Sequence, residues 1–353
     1  MQNDFNLTQY LSKGIEDLIK NAVKATLKNP KQSAVLLKYA MSAKKAEKLR
    51  IAAEQKGEHI PPFLIASITD KCNLRCVGCY AQANAPCRQA ELDAAEWERI
   101  FAEAKELGIV MILLAGGEPF LRSDVIAAAA KRPEVLFPIF TNGTAMREND
   151  YSMLNTYRNL LPIISVEGDE VMTDSRRGTG VHSNLTNTMQ RLDKMGIMFG
   201  ASITVTSKNI EYVTDETFIN ELYRKGCKIV FYIEYVPVES IELAFTDIER
   251  DLLENRLVTL RQKDMLFISF PGDEKESGGC LAAGRGFFHI SANGNAEPCP
   301  FSPYSDTNLR NIPLREALKS PLFKKLTNGN ILLKDHKGGC VLFEQKDIVS
   351  NLL

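Results

Sequence analysis

Ile68-Thr69-Asp70-Lys71-Cys72-Asn73-Leu74-Arg75-Cys76-Val77-Gly78-Cys79-Tyr80 is the stretch on which the reading of this chain turns. It closes the apolar run at residues 63–69 and places three cysteines, spaced three and then two residues apart, in one loop. Such a loop can wrap a single metal group. A [4Fe–4S] cubane has four irons, so three thiolates leave one iron open to a ligand, whereas a four-cysteine electron-transfer cluster leaves none. Structural zinc asks for four ligands, usually as two C-x2-C pairs, and no histidine follows closely here. Cys87 offers a fourth thiolate, but only eight residues later. Unligated structural cysteines suit poorly a loop that also carries Asn73, Arg75 and Gly78. The open cluster is the favoured reading.

Outward from this loop, short apolar runs alternate with helical segments. The runs lie at 63–69, 109–115, 135–141, 161–166, 199–206 and 228–236, with helices expected at 93–107, 123–131, 184–195 and 214–224. Repeated strand–helix alternation predicts an α/β fold with a parallel sheet and right-handed crossovers. The near-continuous apolar strands fit burial on both faces. Residues 1–58 read as a helical segment in which lysine and arginine outnumber acids. Its apolar stripe is expected to pack on the main body, with a basic surface for anionic lipid as the lesser alternative. Residues 59–264 form the central unit. Residues 265–353 begin with an apolar run at 265–270 and continue as turn-rich sequence with Cys280, Cys299 and Cys340.

Bulk properties narrow the class. The 353 residues carry 43 Lys+Arg against 44 Asp+Glu, a net charge of −1, which gives no electrostatic case for a nucleic-acid partner. No stretch approaches the ~18 apolar residues of a membrane span, and the first residues lack the pattern of a signal peptide. A cytoplasmic location is expected, where eight cysteines point to metal chemistry more than to disulfides. Cys227 precedes a buried-type strand and reads as core.

The C-x3-C-x2-C loop after a first strand resembles the signature of the radical S-adenosylmethionine (radical SAM) superfamily. That resemblance implies a partial (β/α)6 barrel and a [4Fe–4S] cluster on Cys72, Cys76 and Cys79. It further implies S-adenosylmethionine chelated at the open iron and cleaved to a 5′-deoxyadenosyl radical that abstracts hydrogen. The residue before the third cysteine is commonly aromatic in this family and here is Gly78; Tyr80 is the candidate for an aromatic surface near the adenine. Gly116-Gly117-Glu118-Pro119 after the second run looks like the family's GGEP motif, which contacts the methionine amino group, against the plainer reading of a glycine turn capped by Glu118. Ser165 and Glu167 share one side of the fourth run and are candidates for the ribose hydroxyls. Arg177 is a candidate clamp for the cofactor carboxylate or a loop salt bridge. Ser202 and Thr204 point inward or simply line the barrel, and Glu234 and Tyr235 are candidates for the substrate side or the adenine rim.

Cys280, Gly294 and Cys299, followed by Cys340, resemble the SPASM/twitch extension of radical SAM enzymes. The resemblance implies one auxiliary iron–sulfur cluster, with His336, a carboxylate, solvent or substrate as fourth ligand; a structural role or one zinc is the alternative. It also implies an oxidoreductase or maturase served by a reductant such as flavodoxin or ferredoxin. A peptide or protein substrate ranks first and a tetrapyrrole side chain second, other small molecules remaining open. The contrasting reading is a non-catalytic iron–sulfur carrier.

Overall fold

A computed structural model describes residues 7–26, 29–83, 89–270, 277–333 and 340–353. Its backbone is one nine-stranded sheet in the order β7-β6-β5-β4-β3-β2-β1-β8-β9. The strands are β1 (Phe63–Ser67), β2 (Met111–Ala115), β3 (Phe137–Thr141), β4 (Leu160–Ser165), β5 (Gly200–Val205), β6 (Ile229–Glu234), β7 (Leu266–Phe270), β8 (His289–Ile290) and β9 (Ala296–Glu297). Every pairing is parallel except β8 with β9. This is the curled partial-barrel α/β fold that the resemblance implied; the alternation by itself gave a parallel sheet, either curled into a barrel or doubly wound.

Two details depart from the sequence reading. The run at 265–270, expected to open a third section, pairs in parallel with β6 and adds a seventh barrel strand. Its crossover helix (Asp247–Leu260) is capped by a Thr246–Glu249 box but carries a charged, weakly periodic sequence that hid it. The cysteine-bearing C-terminal segment also joins the same sheet, because β8 lies beside β1 with His289 opposite Ile65.

Strand alternation divides the sheet into two faces. Leu160, Ile164, Val230, Tyr232 and Phe267 belong to the large core under the crossover helices. Leu161, Ile163, Ile229, Phe231 and Leu266, on the opposite face, pack instead against Ala22 and Leu36. Those two residues come from α1 (Leu7–Ala25) and α2 (Pro30–Glu54). Tyr39 and Ala43 of α2 extend the contact to Val110 at the root of β2, and the Tyr39 hydroxyl donates to the Val110 carbonyl at 2.9 Å. The N-terminal helices thus stopper the concave face at the strand N-termini, as the apolar stripe suggested. Among the described residues no helix is long and apolar enough to cross a membrane. With the lower half of the concave face filled, the C-terminal strand ends are left for chemistry, as in other (β/α) barrels.

Candidate active site

The cysteine loop is held from four directions. The Val77 N–H donates to the Arg176 carbonyl at 2.9 Å, at the end of α3 (Glu170–Arg177). The Gly78 N–H donates to Glu239 Oε2 at 2.7 Å, Asn73 Nδ2 donates to Thr144 Oγ1 at 2.8 Å, and Gln82 Nε2 donates to the Leu74 carbonyl at 2.9 Å. Within the loop the Leu74 N–H points at Cys72 Sγ, 3.4 Å away. Burial pushes the Cys76 thiol up, while Arg177 and Arg176 pull it back down. The loop therefore presents its sulfurs next to a positive edge suited to an anionic thiolate cluster.

The glycine pair is built against the root of this loop. Gly117 N–H donates to the Thr69 carbonyl at 2.7 Å, and Glu118 N–H to the Lys71 carbonyl at 2.8 Å. A Cβ on Gly116 would meet the Thr69 oxygen at 2.2 Å, and one on Gly117 would meet the Lys71 oxygen at 2.1 Å. Both contacts are to backbone and cannot be relieved by a side-chain rotation. Gly117→Ala is expected to destabilise the protein by about 1–3 kcal/mol through overpacking and to lower iron uptake at the loop, checked by thermal melting and iron analysis.

Glu118 does something other than the ammonium contact expected of its carboxylate. It is fully buried, and its Oε1 accepts from the Phe120 N–H (3.0 Å) and the Thr141 hydroxyl (2.7 Å), its Oε2 from the Asn142 N–H (2.8 Å). This is the capping role, with β3 tied in as well. Pro119, also buried, starts the following 3-10 turn. The partly exposed surface of the motif is the Gly116-Gly117 backbone.

Ser165 and Ser202 sit side by side across β4 and β5, on the face that continues the concave wall. Glu167 lies just beyond and is buried. Its Oε1 accepts from Arg176 Nη1 and from Arg177 Nε and Nη2, while its Oε2 has no hydrogen-bond partner among the described residues. Arg177 is thus committed to Glu167, the salt-bridge alternative. Burial pulls the Arg177 guanidinium down, but the Glu167 carboxylate outweighs it and holds the group above its ordinary value. Arg176 Nη1 also donates to Thr204 Oγ1 at 3.2 Å. Deeper in the concave face, Phe140, Phe231 and Phe270 form an aromatic wall, with ring centroids 5.2 Å apart for the first pair and 6.2 Å for the second.

Of the two candidate tyrosines, Tyr235 lies nearer the Gly78 backbone. Tyr80 turns away from the loop toward the C-terminal segment, with its ring 5.1 Å from Phe301 and its hydroxyl sharing a hydrogen bond with Ser67. Tyr235 takes the space beside the third cysteine instead. A Cβ on Gly78, which has φ +68°, would lie 2.7 Å from the Tyr235 ring. The Tyr235 ring thus occupies the space that a side chain at position 78 would need. Glu234 faces the other side of the sheet and pairs with Arg250 at 3.1 Å, so it belongs to the outer packing. Cys227 is core, as expected: it is fully buried, its Sγ donates to the Ile229 carbonyl at 3.2 Å, and burial pushes its thiol up to about 12.

The fold gathers the C-terminal thiols. Cys280, Cys299 and Cys340 are all buried. The Cys299 thiol is raised by a hydrogen bond shared with Cys340, by burial, and by the charges of Cys340 and Cys280. Cys87 and His336 fall outside the described residues. Among the described residues no three His, Cys, Asp or Glu side chains form a group that would close on a single metal ion.

One buried network had no signature in the sequence. His289 Nδ1–H donates to Glu297 Oε2 at 2.7 Å, and His289 Nε2 lies 2.8 Å from the Ser67 hydroxyl, which Tyr80 joins. It fastens the β8–β9 hairpin to the end of β1, and so the segment carrying Cys299 to the strand that feeds Cys72. The only hint was His289 and Glu297 flanking Gly294 in a hairpin pattern.

Residues 66–220 match the model of the Radical SAM superfamily. The AdoMet-dependent heme synthase of Methanosarcina barkeri is 28% identical over 321 residues, which span 81% of this chain and 90% of that protein. Among solved structures, Streptococcus suis SuiB bound to precursor peptide SuiA superposes with a TM-score of 0.68 at 19% identity, covering 84% of this chain and 76% of that one. The enzyme anSMEcpe with bound AdoMet and Cp18Cys peptide gives 0.61 at 16% identity, covering 78% and 84%. The matched segment runs from the end of β1 through the cysteine loop, the glycine pair and Glu167 to the helix before β6, so the part of this chain that resembles the radical SAM superfamily is the part that builds the candidate site.

Proposed function

We propose that this enzyme cleaves S-adenosylmethionine reductively at Cys72, Cys76 and Cys79 and uses the product to modify a peptide or protein oxidatively. The observation that carries the site is the orphaned, buried Oε2 of Glu167 beside the braced cysteine loop. An acceptor fixed there by two arginines suits a ribose hydroxyl. Cys72, Cys76 and Cys79 would hold a [4Fe–4S] cluster, which would supply the electron for the reductive cleavage of S-adenosylmethionine.

The chain's own residues do the rest. The Gly116-Gly117 backbone offers carbonyls to the methionine ammonium, and Glu118 holds that turn in place. Glu167 Oε2 accepts from the ribose, Ser165 and Ser202 line the wall beside it, and Tyr235 supplies a ring next to Cys79. The stopper of α1 and α2 excludes water from below. The C-terminal thiols hold an auxiliary cluster, and a flavodoxin or ferredoxin serves as reductant. The peptide reading draws on the fold shared with a protein whose structure holds its precursor peptide.

A second reading, modification of a tetrapyrrole side chain, draws on the heme synthase relative aligned over 90% of its own length. The partly exposed rings of Phe140 and Phe270 offer a surface to either an aromatic side chain or a flat ring system.

Anaerobic reconstitution followed by EPR with and without S-adenosylmethionine tests the cleavage. The expected result is a cofactor-dependent change in the spectrum and 5′-deoxyadenosine under reductant; a spectrum indifferent to the cofactor, with no cleavage, returns the chain to an iron–sulfur carrier. Cys340→Ala is expected to retain measurable cleavage while losing the auxiliary cluster's iron and product formation. The substrate class is decided by which compound, a candidate precursor peptide or an iron-porphyrin carboxylate, accelerates cleavage and is itself converted.

A further inference from the structure

Cys299-Pro300-Phe301-Ser302 is a two-residue turn. The Ser302 N–H donates to the Cys299 carbonyl at 2.9 Å, and the two residues form an antiparallel bridge. Residues paired this way project their side chains to the same side, with Cβ atoms roughly 4.5–5.5 Å apart. Ser302 is fully buried, and its hydroxyl has no hydrogen-bond partner among the described residues. A buried hydroxyl left unpaired is destabilising, and here the fold keeps one directly opposite Cys299 across the turn. The Phe301 N–H of the same turn already donates to the Cys299 sulfur. The turn therefore aims one backbone donor and one orphaned side-chain donor at a group of gathered thiols.

We propose that the Ser302 hydroxyl donates a hydrogen bond to the sulfur shell of an iron–sulfur cluster held by Cys280, Cys299 and Cys340, and thereby raises its reduction potential. This rests on reading those thiols as cluster ligands. A cluster supplies what the protein lacks here, sulfur acceptors of high charge within reach of the turn. Reduction adds one electron to the cluster, and an O–H dipole pointed at its sulfurs stabilises that added charge more than the oxidised state. Hydrogen bonding to the sulfurs is one of the levers that set such potentials. Ser302 is then a positioning and tuning residue, and its removal leaves the ligands in place.

The test uses the full chain carrying Cys76→Ala, which silences the first loop, with Ser302→Ala and Ser302→Thr added separately. Iron and sulfide per chain, and the midpoint potential from EPR-monitored redox titration, are measured after anaerobic reconstitution. Ser302→Ala is expected to keep the parent's iron and shift the midpoint to a more negative potential, and Ser302→Thr, which keeps a hydroxyl, to stay near the parent. Metal-free Ser302→Ala is expected to melt no lower than its parent, since it removes an unsatisfied group; a purely structural hydroxyl would make it melt lower, which counts against the proposal. An unchanged midpoint in Ser302→Ala overturns it. Loss of iron in Ser302→Ala overturns it as well, by making Ser302 a ligand. A Cys76→Ala parent with no cluster at all removes the reading of the three thiols, and the proposal with it.

Discussion

Cys76→Ala is expected to abolish S-adenosylmethionine cleavage while leaving the protein folded. Two thiolates cannot hold the cubane at the mouth of the barrel, so iron analysis should show the loss of one cluster with the C-terminal site still loaded. The fold should barely register the change. Cys76 is only partly buried, and the loop around it is fixed by the Val77, Gly78, Asn73 and Gln82 hydrogen bonds, none of which uses its sulfur. A substitution away from core packing and hydrogen-bond networks changes stability by within about 0.5 kcal/mol, and the melting temperature of the metal-free variant should follow that of the metal-free parent. The measurement is 5′-deoxyadenosine formed under reductant. Cleavage at the parent rate would place the reacting iron elsewhere and remove the basis for assigning the three cysteines.

What the sequence made legible was local. The cysteine spacing, the glycine pair and the alternation of apolar runs are properties of short stretches, and each landed where it was expected on the sheet. The side-chain surroundings that the sequence did not show all depend on partners distant in sequence. Glu118 was expected at the cofactor, but the end of β3 supplies Thr141 and Asn142 to consume its carboxylate. Tyr80 was the natural aromatic candidate beside Gly78 only until β6 brought Tyr235 to the same place. Ser67, His289 and Glu297 were invisible because a hydrogen-bonded trio built from three strands has no periodicity and no common spacing. The seventh strand was missed for a related reason: a two-layer crossover was expected to announce itself by an amphipathic helix, and the one at Asp247–Leu260 is strongly charged.

Glu167→Gln is expected to weaken cofactor binding and also to lower stability by about 3 kcal/mol, and the two effects come from different oxygens. Oε1 serves the protein. It is the shared acceptor of Arg176 and Arg177, whose side chains are 15% and 9% exposed. Breaking a buried ion pair by removing one partner typically costs about 3–5 kcal/mol, since the remaining charge is left uncompensated. The lower end applies here, because the Thr204 hydroxyl remains for Arg176 and an amide oxygen can still accept one guanidinium hydrogen. Oε2 is the free acceptor, and it is the atom offered to the ribose. Glutamine can satisfy only one of these demands with its single carbonyl oxygen, and its NH2 group turned toward either the arginines or the ribose replaces an acceptor by a donor. Losing one charge-assisted hydrogen bond is worth about 1.5–3 kcal/mol, which corresponds to a rise of roughly ten- to a hundred-fold in the dissociation constant of S-adenosylmethionine. Glu167→Asp separates the two roles: it keeps the charge and most of the stability, yet draws the carboxylate back by one methylene. If the melting temperature of Glu167→Asp recovers while its affinity stays low, Oε2 is a cofactor ligand; if stability and affinity recover together, Glu167 acts only by holding Arg176 and Arg177, and through the Arg176 carbonyl the cysteine loop, in place.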